Sequence, residues 1–106
     1  MKVIWAEDAR LRARETATYI CEMFGARARQ KFLSELSRID SLLTGQPNLG
    51  AAEPLLSDAP VLYRALVVGR RNKIVYHVHD DVVEVVDLWD TRREPKQQAG
   101  GIHPEA

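Results

Sequence analysis

Between residues 9 and 24 the apolar side chains Ala9, Ala13, Ala17, Ile20 and Phe24 recur at steps of three and four, the spacing of one face of an α-helix. The stripe predicts an amphipathic helix of about seventeen residues. It starts near Glu7, where Glu7 and Asp8 complement the positive end of the helix dipole. Ahead of it, "KVIW" is a short run rich in β-formers. Gly25 interrupts the pattern, and a second stripe follows at Phe32, Leu36, Ile39 and Leu43, closed by Gly45 and Pro47. Two such helices across a short break are expected to pair as an antiparallel hairpin with one shared apolar face. Arg10, Arg12, Arg14, Arg27 and Arg29 lie mostly off the stripes, where solvent is their expected surrounding.

"GQPNLGAAEPLLSDAP" is a connector whose prolines and glycines break helix and strand alike. After it the period changes to two. Strands are predicted over about residues 61–68, 72–79 and 82–89, separated by "GRRN" and by the acidic turn "DD". Their close spacing favours an antiparallel meander. In the second strand Ile74, Tyr76 and Val78 share one face, and Lys73, Val75, His77 and His79 share the other. The first set is assigned to the helices, which leaves Lys73, His77 and His79 on an open face. In the third strand Val83, Val85 and Trp89 are expected to oppose Glu84, Val86 and Leu88. The fold class is α+β, with an N-terminal strand and a two-helix hairpin packed on a mainly antiparallel β-sheet. Residues 1–96 are read as a single domain and residues 97–106 as a mobile tail.

Charge changes this picture in one place. The chain is neutral overall, yet residues 60–79 carry four basic side chains and no acidic one, while residues 80–106 carry three basic and seven acidic. The positive charge is therefore concentrated on one predicted hairpin, which bears Arg64, Arg70, Arg71, Lys73, His77 and His79. Overall neutrality argues against nucleic-acid binding by bulk charge alone. The single cysteine, Cys21, excludes an internal disulfide and any cysteine-built metal site, and packing is its expected role. No secretory apolar core or membrane-length apolar run is read, so a cytoplasmic location is expected.

"MKVIW" before paired helices, "PNLG" after them, then "YRALVV", "KIVYHV" and "VDLWDTRREP" follow one another in this order. Together they resemble the RelE/ParE superfamily of toxins from type II toxin–antitoxin (plasmid stabilization) modules, over about residues 1–96. The resemblance implies the toxin fold and, first, the RelE activity: metal-independent cleavage of mRNA in the ribosomal A site, with no cofactor. Such cleavage activates a ribose 2′-OH, neutralises the phosphate and protonates the leaving oxygen. Arg64, Lys73 and Arg92 fall where those ribonucleases carry basic residues, and Arg70, Arg71 and Arg93 are the expected RNA contacts. Leu66 stands where that pattern often has a lysine, and Gln98 about where it has a tyrosine. His77 and His79 are therefore the candidates for proton transfer, since imidazole titrates near neutrality, and His77, on the face of Lys73, is the better of the two.

The ParE branch of the same superfamily inhibits DNA gyrase by binding, without chemistry of its own. There the last strand commonly ends in His-Gly and a basic pair; here Trp89-Asp90 replaces the first and Arg92-Arg93 keeps the second. A toxin-fold protein without toxic activity is the third reading. The resemblance also implies a cognate antitoxin as partner, with the ribosome and mRNA, or gyrase, as target. DNA would be reached only through the antitoxin, and no membrane is involved. Val3 and Trp5, or Leu62 and Val68, are the positions expected beside the antitoxin.

Overall fold

The computed structural model describes residues 1–92 and Ile102. Its elements are β1 (Lys2–Trp5), α1 (Glu7–Phe24), α2 (Ala26–Gly45), β2 (Ala51–Ala52), a 3-10 turn (Pro54–Leu56), β3 (Arg64–Val68), β4 (Asn72–His79) and β5 (Val82–Asp90). The five strands form one sheet in the order β1-β5-β4-β3-β2. The β3–β4–β5 meander is antiparallel as expected, and β1 joins β5 in parallel. The α+β class and both helices match the sequence reading. β2 and the 3-10 turn were not anticipated, because two alanines inside a proline-rich connector carry no strand signal.

Gly25 separates the helices at φ 97°, a left-handed conformation that glycine adopts without strain. From α2, Phe32, Leu36, Ile39 and Leu43 are all buried, with Ala9 and Ala17 from α1. They meet Val68, Ile74, Tyr76, Val83, Val85 and Leu88 of the sheet. The second helix is also tied down at its far end. The Trp5 indole donates to Asp40 Oδ1 at 2.8 Å, and the N-terminal ammonium donates to the Thr44 carbonyl at 3.0 Å. Phe24 departs from the expected stripe. It stands at the last position of α1, is 58% exposed, and lies 5.9 Å from the Arg71 guanidinium instead of in the core.

Two expectations about the sheet are corrected. Tyr76 pairs with Val85 whereas Val75 pairs with Asp87, so Val86 is an extra residue in β5. This bulge reverses the alternation beyond it: Leu88 packs with the helices, and Trp89 packs with Val75 on the other side. That other side is also not open. The connector folds back over it, so that Leu56, Tyr63, Val75 and Trp89 form a second buried cluster, with Ala59, Val61, Val86 and Ile102 packed against it. The expected tail at residues 97–106 otherwise lies outside the described residues. Val68, expected at an antitoxin contact, is core at 1% exposure.

Two polar devices hold the connector. Gly50 passes so close to the sheet that its N–H donates to the Tyr76 hydroxyl at 2.8 Å. The other is the carboxylate of Glu53, buried beneath the connector, which pairs with Lys73 and accepts the Leu55 N–H at 3.0 Å. The Lys73 ammonium also lies 5.1 Å from the centre of the Trp89 ring. At the bulge, Asp87 is buried and accepts bonds from Leu88 N–H at 2.8 Å and the Trp89 indole at 3.1 Å. Burial pushes its carboxyl above the ordinary aspartate range, opposed by those bonds and by the charge of Arg12.

A side chain at Gly50 has no room: its Cβ would lie 2.7 Å from the Ala65 carbonyl oxygen and 2.9 Å from the Tyr76 hydroxyl. Urea unfolding should therefore show Gly50→Ala losing about 1–3 kcal/mol. Tyr76→Phe, which strands the Gly50 N–H, should lose a similar amount of about 1–3 kcal/mol. Wild-type stability in either variant would mean that the connector does not hold this position in solution.

Lys73→Met leaves the Glu53 carboxylate buried without its partner and should cost about 3 kcal/mol or more. Lys73→Met/Glu53→Gln should recover most of that loss, a non-additivity that a double-mutant cycle measures.

Asp87 gives a pH signature. Its proton is held to higher pH in the folded chain than in the unfolded one, so between the two values the native state binds more protons. Stability then falls as pH rises upward from the ordinary aspartate value of about 3.9. Asp87→Asn should flatten that slope in urea unfolding measured across acidic pH; an unchanged slope would assign it to other groups.

Candidate functional site

The six described residues of the expected RNA site are distributed over two faces and one end of the sheet. Residues paired across antiparallel strands share a face. Arg64 pairs with Tyr76, and Leu66 with Ile74, which puts both on the helix side. Lys73 and His77 lie on the opposite side. Arg64 is half-buried, and its guanidinium donates to the Gly50 carbonyl at 2.7 Å and the Asn48 carbonyl at 3.4 Å. Leu66, which stands where the ribonuclease pattern often has lysine, packs against the helical core. On this face an aliphatic side chain is what the surroundings accept.

Lys73, expected as an exposed phosphate contact, is engaged by Glu53 and covered by the connector. His77 was expected among cations. Its nearest charged partner is instead the Glu84 carboxylate, with Nε2 and Oε1 at 2.9 Å. The reason is register: His77 lies opposite Glu84 across the β4–β5 pairing, and Lys73 lies opposite Trp89. His77 also stacks on His79 with ring centres 4.7 Å apart, and meets the Tyr63 ring edge-on at 5.3 Å. Burial, then the nearby charge of Glu84, pushes the Tyr63 hydroxyl above its ordinary value. Tyr63 is accordingly a weak proton donor.

The exposed cations gather elsewhere. Arg70 and Arg71 occupy the β3–β4 turn, and Arg92 follows β5. Thr91 binds the two segments together, its N–H and its hydroxyl both donating to the Arg71 carbonyl, at 2.7 and 3.0 Å. Arg92 grips Asp90, with Nε 3.3 Å from Oδ1 and a second nitrogen 3.2 Å from Oδ2. That bond, followed by one with Tyr19, holds its guanidinium protonated even more firmly than usual. Tyr19, Met23 and Phe24 expose their side chains on the last turns of α1. With Arg71 lying by Phe24 and Arg92 by Tyr19, this end of the molecule combines cationic and apolar surface. Sequence reading missed the contribution of α1, because Phe24 fits a core stripe as well as a surface one. Arg93 and Gln98 lie outside the described residues.

Groups suited to general acid–base chemistry therefore stand on one face, at His77 and Glu84, while the exposed guanidinium groups of Arg70, Arg71 and Arg92 stand at the sheet end. No helix among the described residues is long and apolar enough to cross a membrane. No family model matches the chain, and no curated protein sequence matches it. Among solved structures, a chain of the "Chromosomal ParDE TA system from P. aeruginosa" superposes with a TM-score of 0.71 at 17% sequence identity. The match covers 87% of this chain and 97% of that one. With its N-terminal strand, helical hairpin and mixed sheet, the chain shares the fold of that ParDE TA system chain, in keeping with the fold its sequence resemblance implies.

Proposed function

We propose that this chain is the toxin of a type II toxin–antitoxin pair and that it acts by binding its target, as a ParE-type DNA gyrase inhibitor, rather than by cutting RNA. The observation that carries this reading is the separation of the cations. Phosphoryl chemistry on RNA needs a phosphate grip and proton-transfer groups around one reacting centre. Here Arg64 is across the sheet from Lys73 and His77, and both basic side chains are already committed to carbonyl or carboxylate oxygens. The fold shared with a chain of a ParDE TA system supports the same choice. The target contact is the cationic and apolar end formed by Arg70, Arg71, Arg92, Tyr19, Met23 and Phe24.

An antitoxin is the implied partner. Leu49, Leu55, Leu62 and Val67 are large apolar side chains left exposed, and all belong to β3 or to the connector around β2, the strand that ends the sheet. An apolar segment laid along that edge would cover them and extend the sheet. RNA cleavage stays as the second reading because the His77–Glu84 pair is an imidazole held by a carboxylate, a workable general base.

The deciding experiment expresses the chain alone and with the product of the adjacent gene. Growth should stop in the first case and resume in the second, and Leu62→Glu/Val67→Glu should weaken the rescue. Purified protein should block gyrase supercoiling, and Arg71→Ala/Arg92→Ala should weaken that block about tenfold or more. Cellular mRNA should remain whole. If codon-position cuts appear instead, and His77→Gln lowers them about 10²-fold, the chain is a ribonuclease. Normal growth at confirmed soluble expression would remove both toxin readings.

A further inference from the structure

The turn between β4 and β5 is made by Asp80 and Asp81, both at positive φ (47° and 59°). Two successive left-handed residues close a hairpin tightly, which brings the ends of the two strands face to face. His77 and His79 stand two residues apart on one face of β4, and Glu84 lies opposite His77 on β5. His77 Nε2 is 2.9 Å and His79 Nε2 is 3.7 Å from the same oxygen, Glu84 Oε1. One ligand atom from each of the three residues fits within a 4.8 Å span.

We propose that His77, His79 and Glu84 form a binding site for one divalent transition-metal ion, with Zn²⁺ as the best chemical fit. Two imidazoles and one carboxylate are a ligand set suited to that ion. Bonds of about 2.0–2.2 Å put neighbouring ligand atoms on the order of 3–3.5 Å apart. The two separations to Glu84 bracket that distance. His79 makes the adjustment: its side chain is 46% exposed, and its ring turns out of its stack on His77 to face the ion. Its other ring nitrogen, Nδ1, lies 3.5 Å from Asp80 Oδ2. A carboxylate on that side favours the tautomer with the proton on Nδ1, which leaves the Nε2 lone pair facing the site. Glu84 would then bridge to the metal the oxygen it now shares between the two rings. The remaining coordination positions face solvent and would hold water. This site is separate from the Arg71–Arg92 end, and it stands whether or not the chain inhibits gyrase.

The test is a titration of the purified full chain with ZnCl₂ by calorimetry, and with Co²⁺ by visible absorption. One ion should bind per chain with a saturable heat, the Co²⁺ complex should show the ligand-field bands of a low-coordinate site, and Zn²⁺ should raise the melting temperature. Mg²⁺ should do none of these, because it prefers all-oxygen octahedral sites. His79→Gln and Glu84→Gln should each weaken Zn²⁺ binding about tenfold or more. Cys21→Ser should bind as the wild type does, since Cys21 does not belong to the proposed ligand set. Circular dichroism confirms that each variant is folded, and the exposure of His79 makes its variant the safest. The proposal is overturned if wild-type chain shows no saturable 1:1 binding. Binding that survives His79→Gln/Glu84→Gln together overturns it equally.

Discussion

The extra residue at Val86 decides how the two sides of this sheet are filled. Without it, strict alternation would send Trp89 toward the helices and Leu88 toward the connector. With it, Leu88 completes the helical core and Trp89 becomes the floor of the second cluster. The rest follows in sequence. Trp89 gives Leu56 and Tyr63 a surface to pack on, so the connector folds down over β4. Once the connector is down, Glu53 is buried and requires a cation, and Lys73 is the one within reach. A small domain thus builds two apolar layers around one sheet, using a loop where a larger protein would use further helices.

Folding also rearranges the charge. Residues 60–79 contain no acidic side chain, yet three of the positions that looked most available for phosphate find oxygen partners from elsewhere. Glu53 arrives from the connector for Lys73, Glu84 from β5 for His77, and the carbonyls of Asn48 and Gly50 for Arg64. Arg12, one of the arginines expected in solvent, is half-buried and lies within electrostatic reach of Asp87. Linear clustering of like charge therefore says little about the field of the folded surface, because a sheet brings distant segments side by side. What remains exposed is the guanidinium group at the β3–β4 turn and beyond β5, next to apolar side chains of α1.

The helices were legible because their apolar positions repeat at one period for several turns, and Gly25 breaks that period where the chain reverses. The three long strands were legible for the same reason. The bulge was not, since one inserted residue changes parity without any local marker in "VVEVVDLW". The face of Arg64 depended on an equally silent quantity, the length of a turn. Val68 pairs with Asn72, which leaves three residues between them. A two-residue turn would have shifted the register by one and carried Arg64 to the Lys73 side. The order of motifs was enough to name a fold, and the convergence of its side chains was not readable at that level.

β4 is enclosed on both edges and both faces. It has β3 on one edge and β5 on the other, helices beneath Ile74 and Tyr76, and the connector above Val75. Opening the molecule locally can begin at β1 or at the two-residue β2, each bonded along one edge only. It cannot begin at β4 without separating both layers at once. The amide hydrogens of Ile74, Val75 and Tyr76 should therefore exchange with solvent only when the whole domain unfolds, while those of the sheet's outer strands report smaller and cheaper excursions.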